Sequence, residues 1–240
     1  MKITIITLFP EAFKGFLKTS IIKRAQTKKK VKIDPVNLRD FGIGKHKQVD
    51  DRPYGGGAGM VMRVDVVDSA IKAVKTKILK LKSKNDKLKL KTILLTPQGK
   101  LFNQKIAKKL SKYENIILIC GHYEGFDERI RKLADEEISI GDYVLTGGEV
   151  PAMVVIDAIT RLIPGVLGKD ESSLEESFSS SSKSYGLRPL LEYPHYTRPE
   201  EYKGKKVPKI LLSGHHQKIK EWREKESIKK TQKRRPEFLS

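Results

Sequence analysis

Two short apolar runs rich in β-branched residues constrain the fold of this chain more than any other feature. They read KTILLTP at residues 91–97 and NIILICG at residues 115–121. Continuous apolar runs of this length are typical of strands that are buried on both faces, as in a parallel sheet. A segment with helical spacing separates them at residues 103–112, and parallel neighbours require a crossover of this kind. The pattern therefore predicts a β-α-β unit.

The same alternation of strands and helices extends along the chain on both sides of this unit. Pro35 lies in one of the additional strands and argues against a central place for it, because proline cannot donate to a strand ladder. Residues 40–59 are rich in glycine and predict a long loop. Further strands are predicted at residues 2–8, 31–38 and 138–140, and further helices at residues 10–21, 65–82, 127–133 and 150–163. Alternating elements imply an α/β domain with a largely parallel sheet.

The composition changes near residue 168. The stretch that begins there, GKDESSLEESFSSSSKS, is rich in serine and charge, which is typical of a mobile linker or lid. Beyond it, residues 215–235 have the composition of a basic helix. We therefore predict an α/β domain over residues 1–168, a linker over 169–192 and a small helical C-terminal domain over 193–240.

The formal net charge of +20 is too large for ordinary surface solvation. It indicates a polyanionic partner, most often nucleic acid and less often an anionic membrane. No apolar run approaches the roughly 20 residues that a membrane span needs, and the N-terminal MKITIITLFPEAF is not typical of a signal peptide. The single cysteine, Cys120, excludes an internal disulfide and a thiolate zinc cluster. A reducing, cytoplasmic location is therefore expected.

Three glycine-bearing segments each follow a predicted strand. They are LTPQG at 95–99, CGHYEG at 120–125 and GDYVLTGGE at 141–149. Ligands of open α/β sheets bind beyond the carboxyl ends of the strands, and glycines mark places where a ligand or another backbone comes close. Each segment alone is typical of a turn, but together they predict one site. The loop YGGGAGM at 54–60 lacks the lysine and hydroxyl of a phosphate loop, so it is interpreted as a flexible or tightly packed loop.

Several motifs along the chain resemble those of the bacterial tRNA (guanine-N1) methyltransferases, a family of the SPOUT class. The resemblance covers essentially the whole chain, and many motifs in the same order make it specific. The motifs are LFPE (8–11), VDDRPYGGGAGM (49–60), LTPQG (95–99), CGHYEGFDER (120–129), SIGDYVLTGGE (139–149), IPGVLG (163–168), YPHYTRPE (193–200) and LLSGHH (211–216).

The resemblance implies a deep trefoil knot near the C-terminal end of the α/β domain and S-adenosylmethionine as the methyl donor. It also implies that main-chain groups of residues 140–145 bind the adenine and that the glycines let the backbone approach the cofactor. The positions that match the family's cofactor-binding residues are Pro97, Gly121, Tyr123, Glu124, Ile140, Gly141, Asp142, Tyr143, Val144, Leu145, Gly147 and Gly148.

The chemistry of guanine N1 methylation requires a base for the N1 proton and a cation near the charge that develops on O6. The resemblance implies that Arg161 supplies the cation, although an arginine at a helix C-terminus is also typical of dipole compensation. The family's aspartate base maps onto Glu176 through an ungapped match over residues 167–178, with Asp170 as the alternative. The family often requires magnesium, but the sequence shows no cluster of metal ligands.

The resemblance further implies tRNA rather than DNA or a membrane as the partner, and a homodimer with shared active sites. Residues expected to contact tRNA are His46, Asp50, His195, Arg198 and Lys218. Two alternatives remain open: a non-enzymatic RNA-binding or ribosome assembly protein, and a SPOUT methyltransferase with another RNA target. The first explains the charge but not the three glycine-bearing loops, and binding of the methyl donor would distinguish it.

Overall fold

The chain divides into two compact units. A computed structural model describes residues 1–80, 89–167, 176–178 and 189–239. The units are Met1–Leu167 and Gly168–Ser240. Their division falls beside the change in composition near residue 168, while the roles assigned to the three parts remain predictions. Most of the expected linker, including Asp170, lies outside the described residues.

The first unit is built around a five-stranded sheet in which every pair of neighbours is parallel. The order of its strands is β2-β1-β6-β5-β7. Their bounds are β1 Lys2–Thr7, β2 Lys32–Asn37, β5 Leu90–Leu101, β6 Asn115–Cys120 and β7 Glu136–Ser139. The predicted α/β class with a parallel sheet is confirmed.

Strand burial follows from the apolar pattern of each strand. All six residues of β6 are buried, as its uninterrupted apolar run predicts. β2 lies at one edge of the sheet, where Pro35 pairs with Ile5 of β1. An edge strand has a neighbour on one side only, so it tolerates a residue without an N–H better than a central strand does. The objection that Pro35 raised against a central strand is therefore confirmed.

Helices pack on both faces of this sheet. Successive strand residues point to opposite faces, and they divide between two apolar clusters: Ile116 and Leu118 belong to one, Ile117 and Ile119 to the other. The first cluster includes residues of α2 (Ser20–Thr27), α4 (Gln104–Leu110) and α5 (Glu149–Thr160), and the second includes residues of α3 (Val64–Leu79). The sheet that carries the predicted ligand site is therefore covered by helices on both faces.

Three local predictions are wrong in detail. The helix expected from Pro10 is divided into a 3₁₀ turn, Pro10–Phe13, and the helices α1 (Lys14–Leu17) and α2. The break between α1 and α2 falls where Thr19 is extended and Ser20 has a φ of 47°. The loop expected at residues 40–59 begins inside the 3₁₀ turn Leu38–Phe41 and contains β3 (Asp50–Asp51), which pairs with β4 (Val61–Met62). The strand expected at 91–97 continues to Leu101, with a register shift between Leu95 and Lys100.

The second unit contains the predicted basic helix as α7, His216–Arg234. Thr231 and Ser227 of this helix bind the segment around Leu191: the Leu191 N–H donates to Thr231 Oγ1 at 2.9 Å, and Ser227 Oγ donates to the Leu191 carbonyl at 2.5 Å. The unit also contains the short helix α6 (Lys209–Leu212) and the antiparallel pair β8 (Glu201–Tyr202) and β9 (Lys205–Lys206). The two short strands have no signal in the apolar pattern.

Candidate functional site

A cavity of about 290 Å³ lies where three neighbouring strands of the sheet end. Its walls come from the carboxyl-terminal part of β5 and from the loops that follow β6 and β7, namely the three glycine-bearing segments singled out by the sequence. Because parallel strands β6, β5 and β7 are adjacent, their carboxyl ends meet at one edge. The volume is close to the lower end of the roughly 300–1,000 Å³ typical of small-molecule sites.

Most of the expected cofactor-binding residues line this cavity. Asp142 is the exception: it is exposed and is not among the lining residues. Those that do line it are Pro97, Gly121, Tyr123, Glu124, Ile140, Gly141, Tyr143, Val144, Leu145, Gly147 and Gly148. Lining residues that the sequence did not single out include Thr96, Gln98, His122, Phe126, Glu128, Arg131, Thr146 and Pro151. Several of these lie inside the motifs quoted above, and this position was the only sequence signal that could have identified them as lining residues.

The paired glycines at 147–148 are required by the protein itself. A Cβ at Gly148 would lie 2.6 Å from Cys120 Cα and 2.8 Å from the Gly121 nitrogen, and the Gly148 N–H donates to the Gly121 carbonyl at 2.9 Å. A Cβ at Gly147 would lie 2.2 Å from His122 Nε2. The backbone of this segment therefore approaches the loop after β6, and the two segments together form one wall of the cavity.

A buried carboxylate connects these two segments to the first strand. Glu149 is 7% exposed and lies in the first turn of α5, where the helix dipole favours negative charge. Its Oε1 accepts a hydrogen bond from the Thr7 hydroxyl at 2.5 Å, and its Oε2 lies 2.9 Å from His122 Nε2. Sequence reasoning missed this contact, because 142 residues separate Thr7 from Glu149.

Tyr123 occupies a constrained position at the cavity. Its φ of 62° lies in the left-handed region, which a residue with a side chain adopts at some cost. Burial and the neighbouring Asp50 carboxylate raise the pKa of its phenol, and Arg39 opposes this effect. Asp50, expected to contact tRNA, therefore lies beside a residue of the cavity wall.

The glycine-rich loop at 54–60 packs against the same wall. The Glu124 N–H donates to the Met60 carbonyl at 3.0 Å, and a Cβ at Gly59 would lie 2.3 Å from Glu124 Cγ. Tyr54, at the start of the loop, is fully exposed. At its Gly59 end the loop is tightly packed, which is one of the two interpretations that the sequence allowed.

Arg131 lies in the cavity wall, and its guanidinium is already paired with neighbouring side chains. Its Nε donates to Glu128 Oε2 at 2.9 Å, and its two terminal nitrogens donate to Glu137 and Gln98. Because these acceptors surround the guanidinium, its charge is largely balanced within the wall.

Comparison with known proteins identifies the family of the chain. A family model described as "tRNA (Guanine-1)-methyltransferase TrmD" matches residues 1–240. The chain belongs to this tRNA (guanine-1)-methyltransferase family.

Proteins named tRNA (guanine-N(1)-)-methyltransferase are similar to this member of the family along its whole length. The protein of Carboxydothermus hydrogenoformans is 54% identical over 240 residues, which is 100% of this chain and 87% of that protein. The protein of Bacillus subtilis is 52% identical over 240 residues, 100% of this chain and 92% of that protein. The protein of Dictyoglomus turgidum is 53% identical over 239 residues, covering 100% of this chain and 90% of that protein.

The two residues predicted to act in catalysis in this tRNA (guanine-1)-methyltransferase lie in different units. Arg161 is half-buried and follows the last residue of α5, and its N–H donates to the Asp157 carbonyl at 3.2 Å. Glu176 is half-buried in the second unit. The neighbouring Ser177 Oγ accepts from the Glu192 N–H at 3.0 Å, and the Phe178 N–H donates to the Leu190 carbonyl at 2.7 Å. These contacts hold the segment that carries Glu176 within its own unit.

The residues expected to contact tRNA, other than Asp50, are exposed. His46 lies in the turn between Ile43 and Gln48 of the first unit. His195, Arg198 and Lys218 lie in the second unit, and His195 Nε2 is 2.8 Å from Glu192 Oε1. Their exposure suits contacts with phosphates, which position a nucleic acid without reading its sequence.

The described residues show neither a cluster of metal ligands nor a membrane-spanning helix. Among them, no group of three or more His, Cys, Asp or Glu side chains is arranged to hold a metal ion. Within the same part of the chain, no helix is both long and apolar enough to span a bilayer.

Proposed function

We propose that this chain transfers a methyl group from S-adenosylmethionine to N1 of the guanine immediately 3′ of the anticodon of tRNA. Its family membership makes it a tRNA guanine-N1 methyltransferase. The identity of the methyl donor, the position of the guanine in tRNA and the roles of the residues go beyond family membership and are our proposal. The observation that carries the proposal is the cavity formed where β5, β6 and β7 end.

The cavity suits an adenosine with an attached amino acid. Apolar side chains for the faces of a base are available at Tyr143, Val144 and Leu145, and the main chain of residues 140–145 offers donors and acceptors for its edge. Close approach of a ligand to the main chain is easiest at residues without a side chain, and Gly141 within this segment and Gly121 and Gly147 beside it line the cavity. We further propose that the segments around the cavity form the trefoil knot of the SPOUT class. S-adenosylmethionine supplies an electrophilic methyl group on a sulfonium.

Glu176 and Arg161 divide the acid-base chemistry in this proposal. Guanine N1 carries a proton at neutral pH, so Glu176 accepts this proton as the general base. Negative charge then develops on O6, and Arg161 stabilises it through its guanidinium. Glutamate replaces the aspartate usual in the family and provides the same carboxylate on a side chain with one additional methylene group.

The strong positive charge serves to hold tRNA. Basic residues of α7, which carries Lys218, contact phosphates, while the guanine is read after it leaves the base stack. We also propose a homodimer in which the second unit of one subunit completes the active site of its partner. Val150 and Val154, one turn apart on α5, are exposed at 55% and 42% and offer an apolar surface for such contacts.

Two measurements test the proposal together. Titration calorimetry with S-adenosylmethionine should show binding with a stoichiometry near one site per chain. Incubation with total tRNA from a strain that lacks this activity should then yield 1-methylguanosine at the position 3′ of the anticodon. Failure to bind the donor would favour the non-enzymatic alternative, whereas methylation of another base would favour a SPOUT enzyme with a different target.

A further inference from the structure

The contact among Thr7, His122 and Glu149 connects three separate parts of the chain at the cavity. Thr7 is the last residue of β1, His122 lies in the loop after β6, and Glu149 begins α5. His122 lines the cavity together with Gly147 and Gly148, which precede Glu149. The carboxylate therefore bridges two cavity segments, and Thr7 attaches the bridge to the sheet.

Neighbouring groups leave the side chains of this network little freedom. The Thr7 hydroxyl also accepts from the Phe9 N–H at 3.0 Å. The His122 ring packs edge-on against Phe9, with centroids 4.8 Å apart, and the His122 N–H donates to Met62 Sδ at 3.3 Å. Because other contacts hold Thr7 and His122 in place, loss of the central carboxylate would leave the buried Thr7 O–H without its acceptor and the part-buried His122 Nε2 without the partner at 2.9 Å.

Packing of this network on the glycines shows that it shapes the cavity wall. A Cβ at Gly147 would lie 2.2 Å from His122 Nε2 and 2.5 Å from Glu149 Oε2. The His122–Glu149 pair thus lies directly against the backbone that faces the cavity. A shift of this pair would be transmitted to Gly147 and to the loop that carries Tyr123 and Glu124.

We propose that Glu149 is a positioning residue for the methyl donor, fixing the loop after β6 against the 147–148 segment through His122 and Thr7. The inference rests on the proposed function, since it takes this cavity as the donor site. Glu149 acts through the groups that it holds and does not touch the reacting atoms.

The test compares Glu149→Ala with Glu149→Gln and Thr7→Val. Glu149→Ala should weaken binding of S-adenosylhomocysteine about tenfold or more, as expected for the loss of buried hydrogen bonds to a charged group. Glu149→Gln should stay within about threefold of wild type, because an amide can accept from Thr7 and donate to an imidazole nitrogen. Thr7→Val, which removes one hydroxyl, should weaken binding about threefold to tenfold. Asp68→Asn changes a half-buried carboxylate on α3 that pairs with Lys72, and it should have no effect.

Calorimetry and steady-state kinetics separate positioning from a general loss of folded protein. Partial unfolding lowers the calorimetric stoichiometry and the apparent kcat, but leaves the Kd and the KM for the donor unchanged. The inference predicts the opposite: a raised Kd and KM for the donor, with kcat at saturating donor close to wild type.

Each remaining outcome also decides the inference. An unchanged donor Kd in Glu149→Ala overturns it while leaving the proposed function intact. If Glu149→Ala does not fold, Thr7→Val decides on the same criterion. Absence of donor binding by the wild-type chain overturns both this inference and the proposed function.

Discussion

At the scale of single residues, Arg161 and Glu176 are the groups to which we assign the proposed chemistry. Arg161→Ala should lower kcat about 10²–10³-fold, as expected when a donor to a developing oxyanion is lost, with little change in donor Kd. Arg129→Ala, which removes an exposed guanidinium paired with Asp127, is the matched control and should leave kcat unchanged. Weaker donor binding at an unaltered kcat in Arg161→Ala would contradict the assigned role.

Substitution of the proposed base gives a second residue-scale prediction. Glu176→Gln keeps the shape of the side chain but cannot accept the N1 proton, so single-turnover methylation should fall about 10²-fold or more while tRNA binding holds. Glu176→Asp should retain substantial activity, because it restores the residue usual in the family. Asp170→Asn should do little. Rapid-quench assays check these rates, and an inactive Asp170→Asn beside an active Glu176→Gln would move the base to Asp170.

Sequence patterns reached only part of the candidate site. Residues such as Gly121 and Leu145 line the cavity because parallel strands bring their carboxyl ends together, which the order of apolar runs encodes. The sequence did not reveal the contact between Glu149 and the Thr7 hydroxyl, because the two residues are 142 positions apart along the chain. Contacts of this kind depend on the packing of α5 over β1, and no local spacing reports them.

At the scale of elements, the segment between β7 and α5 depends on its glycines. Gly148→Ala should lower the free energy of unfolding by about 1–3 kcal/mol or more, because its Cβ would meet the backbone of Cys120 and Gly121. Gly15→Ala is the matched control: nothing lies within 4 Å of its Cβ, and α1 should gain about 0.4–1 kcal/mol. Urea unfolding measures both, and equal effects of the two substitutions would contradict the close approach.

Elements with a strong apolar period were predictable, and those set by single backbone angles were not. The apolar patterns of β6 and α3 predict these elements directly, and the apolar residues of both are largely buried. The extension of β5 was hidden by Pro97 and Gly99, although Gly99 is the residue that lies against β7: its Cβ would be 2.5 Å from the Ile138 nitrogen. Pro97 and Gly99 are residues typical of turns, but here Gly99 allows two strands to approach closely. The local sequence pattern does not distinguish such an approach from the end of a strand.

At the scale of the whole molecule, each proposed active site contains residues of two subunits. Mixing an Arg161→Ala chain with a Glu176→Gln chain should restore activity in some heterodimers, because one of their two sites then contains both wild-type residues. Subunit exchange is verified with two different affinity tags, and each variant alone is the control. No recovery despite proven exchange would show that both residues act within one subunit.

The central claim concerns one atom of one nucleotide. The most direct measurement incubates the wild-type chain and S-adenosylmethionine with two tRNA transcripts that differ only in having guanine or adenine 3′ of the anticodon. Nucleoside mass spectrometry then identifies any product. The account predicts 1-methylguanosine in the guanine transcript, at that position, and no methylation of the adenine transcript. Equal methylation of both transcripts, or a methyl group on another atom or nucleotide, would contradict it.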